Sequence, residues 1–207
     1  MNKSALVGAL ASASLAAIGS PAAAAVTVSG SIDSMTLNDS DPGLVLTGSA
    51  LAFADFILAN VGDTHTVDVM TIGTPEGFVN IGEDTISQPI SANFTFSSPA
   101  GAAGTASGES SGFIQLFTSC GLLAGGCGQV SWYNPTIFNF GNGGSFSMSL
   151  SQTTFGTPGS ANVSATFELL ANAVPEPSTW AMLILGFGVV GGAMRNARRQ
   201  RTSVSFA

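Results

Sequence analysis

The side chains best suited to chemistry in this sequence are carboxylates, and no basic residues accompany them. Between Val26 and Val174 the chain has eleven acidic residues and no lysine or arginine, so this span carries a formal charge of −11 with His65 neutral. The acids are Asp33, Asp39, Asp41, Asp55, Asp63, Asp68, Glu76, Glu83, Asp84, Glu109 and Glu168. A surface of one sign repels polyanions and attracts cations, which argues against nucleic acid as a partner.

One pair of these acids has the spacing of a cation site. Asp39 and Asp41, in "NDSDPG", have the D-x-D spacing of calcium ligands, which are oxygen atoms. The full calcium-loop motif is absent because no glutamate follows at the twelfth position, and an Asx turn before Gly43 is the other interpretation. We therefore expect no resident cofactor, with Ca²⁺ at Asp39 and Asp41 as the one candidate.

The sequence evidence for a catalytic site is weaker than that for a cation site. The pairs Glu83–Asp84 and Asp63–Asp68 could supply the two carboxylates of a glycoside hydrolase, but nothing in the sequence places either pair in one cleft. Ser110 in "GESSG" matches the G-x-S-x-G pattern of a nucleophilic serine, which needs a strand before it and a helix after it. Here the motif lies in a run of glycine, serine and alanine, so we predict that the protein is not an enzyme.

The first 25 residues have the pattern of a secretory signal peptide. A single positive charge at Lys3 precedes an apolar stretch over residues 5–18, and small residues follow Pro21. This order of regions predicts export, with cleavage after Ala25 or Ala24. An N-terminal membrane helix is the alternative, but the apolar stretch is shorter than the about 20 residues that a span needs.

Export affects how the two cysteines are interpreted. Cys120 and Cys127 stand at the ends of "CGLLAGGC" and are the only cysteines in the chain. In an oxidising compartment such a pair favours a disulfide, although a free or metal-bound pair is the alternative. A loop this short would stabilise the fold by about 2–3 kcal/mol in the chain-entropy model.

Period-2 alternation of apolar and polar residues predicts β-strands between Val26 and Ala173. It is clearest in "SFSMSLS", "ANVSATFEL" and "SANFTFSS", and in "THTVDVMTI" with a shift near Met70. Turns are expected at residues 60–63 and 140–145, and a flexible loop or long turn over Gly101–Gly112. The pattern predicts an all-β fold, an antiparallel β-sandwich in one domain at residues 26–173.

Two neighbouring aromatic residues offer a possible sugar-binding surface. Trp132 and Tyr133 lie in "GQVSWYNP", where alternation places Trp132 on the same side as Val130. This arrangement predicts a buried Trp132 and an outward Tyr133, which could stack on a sugar ring.

The last part of the sequence has an apolar run followed by nearly all of the positive charge. The fifteen residues from Trp180 to Met194 carry no charge, and as a helix they would be about 22 Å long, short of a hydrocarbon core of about 30 Å. Trp180 suits one membrane interface, and Arg195, Arg198 and Arg199 can extend the span by snorkelling at the other. The pattern predicts a single transmembrane helix with its arginines in the cytoplasm.

The same region carries a motif. Pro175, Glu176 and Pro177 precede the apolar run in "VPEPSTWAMLILGFGVVGGAMRNARRQR". The segment 174–201 resembles the PEP-CTERM sorting signal of Gram-negative bacteria, and residues 202–207 follow it as a tail. The resemblance implies an exosortase as partner, which processes the chain near the motif, and a link to exopolysaccharide and biofilm matrix.

These features together predict an exported protein of the cell surface or extracellular matrix. It would be anchored transiently in the inner membrane, processed by an exosortase, and then have a structural or adhesive role without catalysis. A carbohydrate-binding module for the exopolysaccharide is the first alternative, and a glycoside hydrolase is the second.

Overall fold

The structure is a computed structural model that describes residues 25–116, 118–174 and 177–199. The predicted signal peptide, apart from Ala25, and the tail 202–207 lie outside them. Within the described residues the chain forms eleven β-strands in two antiparallel sheets, and we call the part that contains them, residues 26–171, the β-domain. The predicted antiparallel, all-β architecture is therefore confirmed.

Each sheet has long strands in its centre and short strands at its edges. The larger sheet consists of β1 (Val26–Thr36), β3 (Phe56–Leu58), β5 (Gln88–Ser98), β6 (Ala103–Phe113), β7 (Cys127–Trp132) and β10 (Thr153–Gly156), in the spatial order β10–β7–β6–β5–β1–β3. The smaller sheet consists of β2 (Thr47–Ala50), β4 (Thr64–Thr74), β8 (Thr136–Phe140), β9 (Gly144–Leu150) and β11 (Gly159–Ala171), in the order β2–β4–β11–β9–β8. The four edge strands are only three to five residues long.

The two sheets share one hydrophobic core, whose centre is filled by phenylalanine rings. The ring centroid of Phe146 on β9 lies 5.0 Å from that of Phe96 on β5, across the interface between the sheets, and 5.1 Å from that of Phe138 on β8. The predicted alternation is confirmed on β11, whose inward residues are fully buried: Val163, Ala165, Phe167 and Leu169. Burial of these apolar side chains is the main force that holds the sheets together.

Both predicted turns form, but one joins two paired strands of the same sheet and the other joins strands of different sheets. The turn at 140–145 closes a hairpin in which Phe140 pairs with Gly144, and Gly141 and Gly143 adopt positive φ angles of 50° and 80°. The turn at 60–63 instead carries the chain from the larger sheet to the smaller, because β3 pairs with β1 while β4 pairs with β11 and β2.

The predicted flexible loop over Gly101–Gly112 is wrong. Residues Ala103–Phe113 form β6, a central strand of the larger sheet paired with β5 and β7. Its glycines give close packing: a Cβ on Gly104 would lie 2.9 Å from the ring of Phe138, and one on Gly108 would meet the backbone oxygen of Ser131. Small residues are thus present because neighbouring groups occupy the space where a side chain would be.

The predicted shift near Met70 is a β-bulge in β4. Met70 pairs with Val163 on β11, but the next pair is Asp68 with Ser164, so Val69 is an extra residue in β4. Val69 and Met70 are consequently both buried, although they are adjacent in the sequence.

Candidate functional site

The segment that resembles a sorting signal forms the α-helix α1, Pro177–Arg199. It begins at the second proline of the Pro-Glu-Pro motif, a position where proline is tolerated because the first helical N–H has no partner within the helix. Pro175 and Glu176 lie outside the described residues, and so do the side chains of Arg198 and Arg199.

The described side chains of α1 are all exposed. They run from Trp180 to Asn196 and include both Trp180 and Arg195, the predicted interface residues. Among the residues that the structure describes, no helix is both long enough and apolar enough to cross a membrane. The helix forms in the segment where it was predicted. The prediction that it spans the membrane is not supported. The uncharged run of fifteen residues is shorter than the about 20 that a span needs.

Cys120 and Cys127 are joined by a disulfide, with their Cα atoms 5.0 Å apart. The bond closes a loop that contains a 3-10 turn at Leu122–Ala124, and Gly125 and Gly126 leave that turn with φ angles of 84° and 90°. The loop is fixed to the rest of the domain because the Val79 N–H donates to the Gly125 carbonyl oxygen at 2.7 Å. Both sulfurs belong to buried residues, so this is a structural cross-link.

Asp39 is not a member of the group of carboxylates that the structure brings together around Asp41, and the calcium site at Asp39 and Asp41 stays a prediction. Asp39 is exposed and accepts a hydrogen bond from the Ser40 hydroxyl at 3.3 Å. Asp41 instead lies beside Glu76 and Asp84, and one carboxylate oxygen from each of the three lies within 4.8 Å of the others. The D-x-D spacing could not reveal this group because Glu76 and Asp84 belong to a different loop from Asp41. We call Asp41, Glu76 and Asp84 the carboxylate cluster.

Backbone hydrogen bonds hold two members of the carboxylate cluster in place. Glu76 follows the end of β4, and its Oε1 accepts from the Val45 N–H at 2.9 Å. Asp84 lies in the turn that begins at Asn80, and its Oδ2 accepts from the Asn80 N–H at 2.6 Å. One oxygen of each carboxylate is therefore occupied, which fixes the direction of the other.

The negative charges of the carboxylate cluster are not neutralised by basic side chains of the β-domain. Asp84 is only 1% exposed, and its Oδ1 has no hydrogen-bond partner among the described residues. Burial raises the pKa of Glu76 above its ordinary value, and the carboxylates of Asp84 and Asp41 raise it further, against the lowering effect of the Val45 N–H. No lysine or arginine exists between Val26 and Val174 to neutralise these charges.

The sequence identified parts of this cluster but not the whole. Asp41 and Asp84 were candidates in two different pairs, Asp39–Asp41 and Glu83–Asp84, whereas Glu76 has no local motif around it. The feature of the sequence that could have indicated a cation site is the absence of lysine and arginine between Val26 and Val174, because acidic side chains that converge there have no basic partner.

The remaining acidic pair has structural partners. Asp63 closes the turn at 60–63, where its Oδ2 accepts from the N–H groups of Ala59 and Asn60, both at 2.9 Å. Asp68 accepts hydrogen bonds from the Ser164 hydroxyl at 2.6 Å and from the Asn162 amide at 2.9 Å. These two bonds, the one from Ser164 first, lower the pKa of Asp68 below its ordinary value.

The serine and aromatic candidates are also placed. Ser110 is buried in the middle of β6, so "GESSG" is not the strand–turn–helix arrangement that exposes a nucleophile. Trp132 is buried in the core and Tyr133 is 63% exposed, as the alternation predicted. Tyr133 is thus an outward aromatic ring at the end of β7.

Comparison with protein-family models gives a match to the C-terminal segment. The family model described as the PEP-CTERM protein-sorting motif matches residues 173–199, the segment that contains α1. None of the curated proteins and none of the solved structures compared with the chain is significantly similar to it. A PEP-CTERM motif marks an exported protein for processing by an exosortase. The match shows that the chain carries a PEP-CTERM protein-sorting motif at residues 173–199, the segment that contains the exposed helix α1.

Proposed function

We propose that the β-domain works outside the inner membrane as a structural or adhesive protein of the cell surface or the exopolysaccharide matrix, without catalysing a reaction. The sorting motif at residues 173–199 is the observation that carries this proposal, because it directs the chain to an exosortase. The disulfide between Cys120 and Cys127 supports it, since disulfides persist in oxidising compartments.

Contact with the inner membrane is the transient part of this proposal. It rests on the exposed apolar side chains of α1, among them Leu185, Phe187 and Val189, and on the exposed Arg195, and not on a span of full length. A helix with these features can associate with the membrane in which the exosortase resides, and processing then frees the β-domain.

Mass spectrometry of the protein recovered from cells tests the delivery route. We expect the wild-type product to lack the signal peptide and the sorting segment. Replacement of Pro175, Glu176 and Pro177 by alanine should leave the sorting segment attached, and so should loss of the exosortase. Glu168→Ala, at an exposed acid upstream on β11, is the matched control and should be processed normally. The same mature termini in wild type and the triple variant would overturn the proposal.

The second candidate is a carbohydrate-binding module. It is favoured by one observation, the outward ring of Tyr133 beside the buried Trp132. Stacking of an aromatic face on a sugar ring would make retention on isolated exopolysaccharide depend on that ring. Tyr133→Ala should then abolish retention while Tyr133→Phe preserves it. Under the structural proposal neither variant changes surface association.

The hydrolase alternative is less well supported. A glycoside hydrolase places its two carboxylates on opposite sides of the scissile bond. In the carboxylate cluster, Glu76 and Asp84 are instead held by backbone N–H groups with oxygens near one another. Release of reducing sugars from the exopolysaccharide by the purified protein, lost in Asp84→Asn, would favour the hydrolase.

A further inference from the structure

We propose that Asp41, Glu76 and Asp84 bind one Ca²⁺ ion and that this ion fastens two loops of the β-domain, the one between β1 and β2 and the one between β4 and β5. The proposal goes beyond the delivery route, because its residues all lie in the β-domain and it holds whether or not the sorting segment is removed.

The first observation is the convergence of two loops that are distant from each other in the sequence. Asp41 lies in the loop between β1 and β2, Glu76 comes just after β4, and Asp84 lies in the segment that leads to β5. One carboxylate oxygen from each of the three residues lies within 4.8 Å of the other two. Three negative charges at this separation repel one another, so the arrangement is unfavourable unless something positive lies between them.

The second observation is the buried oxygen of Asp84. A buried carboxylate pays a large desolvation cost unless it is paired or coordinates a metal. The Oδ2 of Asp84 has its partner in the Asn80 N–H, but Oδ1 has none among the described residues, although the side chain is almost fully buried. This oxygen belongs to the carboxylate that faces Glu76 and Asp41, and a cation there would satisfy it.

The partner of this oxygen cannot be a basic side chain of the β-domain. The sequence has no lysine or arginine between Val26 and Val174, and its one histidine, His65, stacks on Phe56 with ring centroids 4.1 Å apart. A bound cation is the remaining way to balance the carboxylate charges while they stay ionised.

The ligand chemistry selects a hard divalent ion. All three groups offer oxygen, which Ca²⁺ and Mg²⁺ prefer, and no nitrogen or sulfur ligand belongs to the cluster. Ca²⁺ accepts an irregular set of six to eight oxygens, whereas Mg²⁺ demands a nearly octahedral one. The N–H groups of Val45 and Asn80 orient two of the carboxylates from behind, as outer-shell donors do in metal sites. Asp41 is exposed, so an ion can enter and water can complete its coordination.

Hydrogen bonds already link the loop that contains Asp84 to β6 and to the disulfide loop, and a bound ion would add the loop that contains Asp41. The Asp84 carbonyl oxygen accepts from the Gly112 N–H at 2.7 Å, which ties this segment to β6. Val79 contacts the disulfide loop through its bond to Gly125. An ion on Asp41 would add the loop after β1 to the same group, so these loops would become more rigid when Ca²⁺ is bound.

Thermal unfolding of the full chain tests the proposal. After removal of metal with EDTA, 10 mM CaCl₂ should raise the Tm by about 3–10 °C, as expected for the submillimolar to millimolar affinities of extracellular calcium modules. NaCl at matched ionic strength is the control, because screening of a span with charge −11 would also stabilise the fold. Isothermal titration with CaCl₂ should show one ion per chain.

Variants distinguish a site from a diffuse acidic surface. Asp84→Asn keeps the shape and the bond to Asn80, and Asp41→Asn removes a ligand from an exposed position where folding is not at risk. Both should abolish the rise in Tm with CaCl₂, while Asp39→Asn, the exposed neighbour outside the cluster, should retain it. No rise in wild type, a rise of the same size with NaCl, or a rise retained in Asp41→Asn would overturn the proposal. None of these outcomes affects processing at the Pro-Glu-Pro motif.

Discussion

The sorting segment and the β-domain differ in how their functional residues are brought together. In the sorting segment the proline motif, the apolar run and the arginines follow one another along the chain, and the described side chains of α1, which contains the apolar run, are exposed. In the β-domain the carboxylate cluster takes its three members from two loops, with Asp41 and Asp84 43 positions apart, and one member is buried. A linear signal is read by another protein, whereas a folded site must be assembled by its own chain.

The largest expected effect separates the two regions completely. Replacement of Pro175, Glu176 and Pro177 by alanine should abolish processing, because the enzyme reads a local sequence. It should leave the Tm of the β-domain unchanged, because the motif lies outside the two sheets. Processing is measured from the mass of the product and stability from thermal unfolding. A large fall in Tm would show that the two regions are not independent.

Removal of the disulfide should lower the stability of the β-domain and leave the processing of the sorting segment unchanged. Changing Cys120 and Cys127 together to serine should reduce the free energy of unfolding by about 2–3 kcal/mol, since the short loop is no longer closed in the unfolded chain. Denaturant unfolding measures the change, and wild type in reducing agent is the control that should match the variant. If the processed termini of the variant also changed, the sorting segment would depend on the fold.

Substitution of a closely packed glycine in β6 should reduce stability by less than removal of the disulfide. Gly108→Ala should destabilise the β-domain by about 1–3 kcal/mol, because the new Cβ meets the backbone of Ser131 on β7. Gly156→Ala on β10 is the matched control, since nothing lies within 4 Å of its added Cβ. Equal stability of the two variants by denaturant unfolding would mean that the glycines of β6 mark a loose segment after all.

The smallest effect concerns pH. The hydrogen bonds from Ser164 and Asn162 lower the pKa of Asp68 in the folded state, so they stabilise the fold above the unfolded-state pKa of about 3.9. That contribution is lost as the pH falls through the lower, folded-state pKa. The difference in Tm between wild type and Asp68→Asn should therefore shrink below pH 4. Asp55→Asn is the control for removal of one surface charge, and a difference that stays constant with pH would contradict the assignment.

The contrast also explains what the sequence could predict. Strands with a period of two, such as β11, and the helix α1 are encoded by neighbouring residues, so their positions were predictable. The glycine-rich run of β6 was predicted to be a loop because the reason for its small residues, the ring of Phe138 and the backbone of Ser131, lies elsewhere in the chain. For the same reason Asp41 was assigned to Asp39, its neighbour in sequence, when its partners in space are Glu76 and Asp84.

The short edge strands have a consequence for how the protein can assemble. Open sheet edges are templates on which further chains can add as strands, and fibrils grow in this way. The edges here are β3, β10, β2 and β8, the four shortest of the described strands, with three, four, four and five residues. Copies of the β-domain that meet at high concentration therefore find little backbone to extend, and the formal charge of −11 between Val26 and Val174, all of one sign, adds repulsion between them.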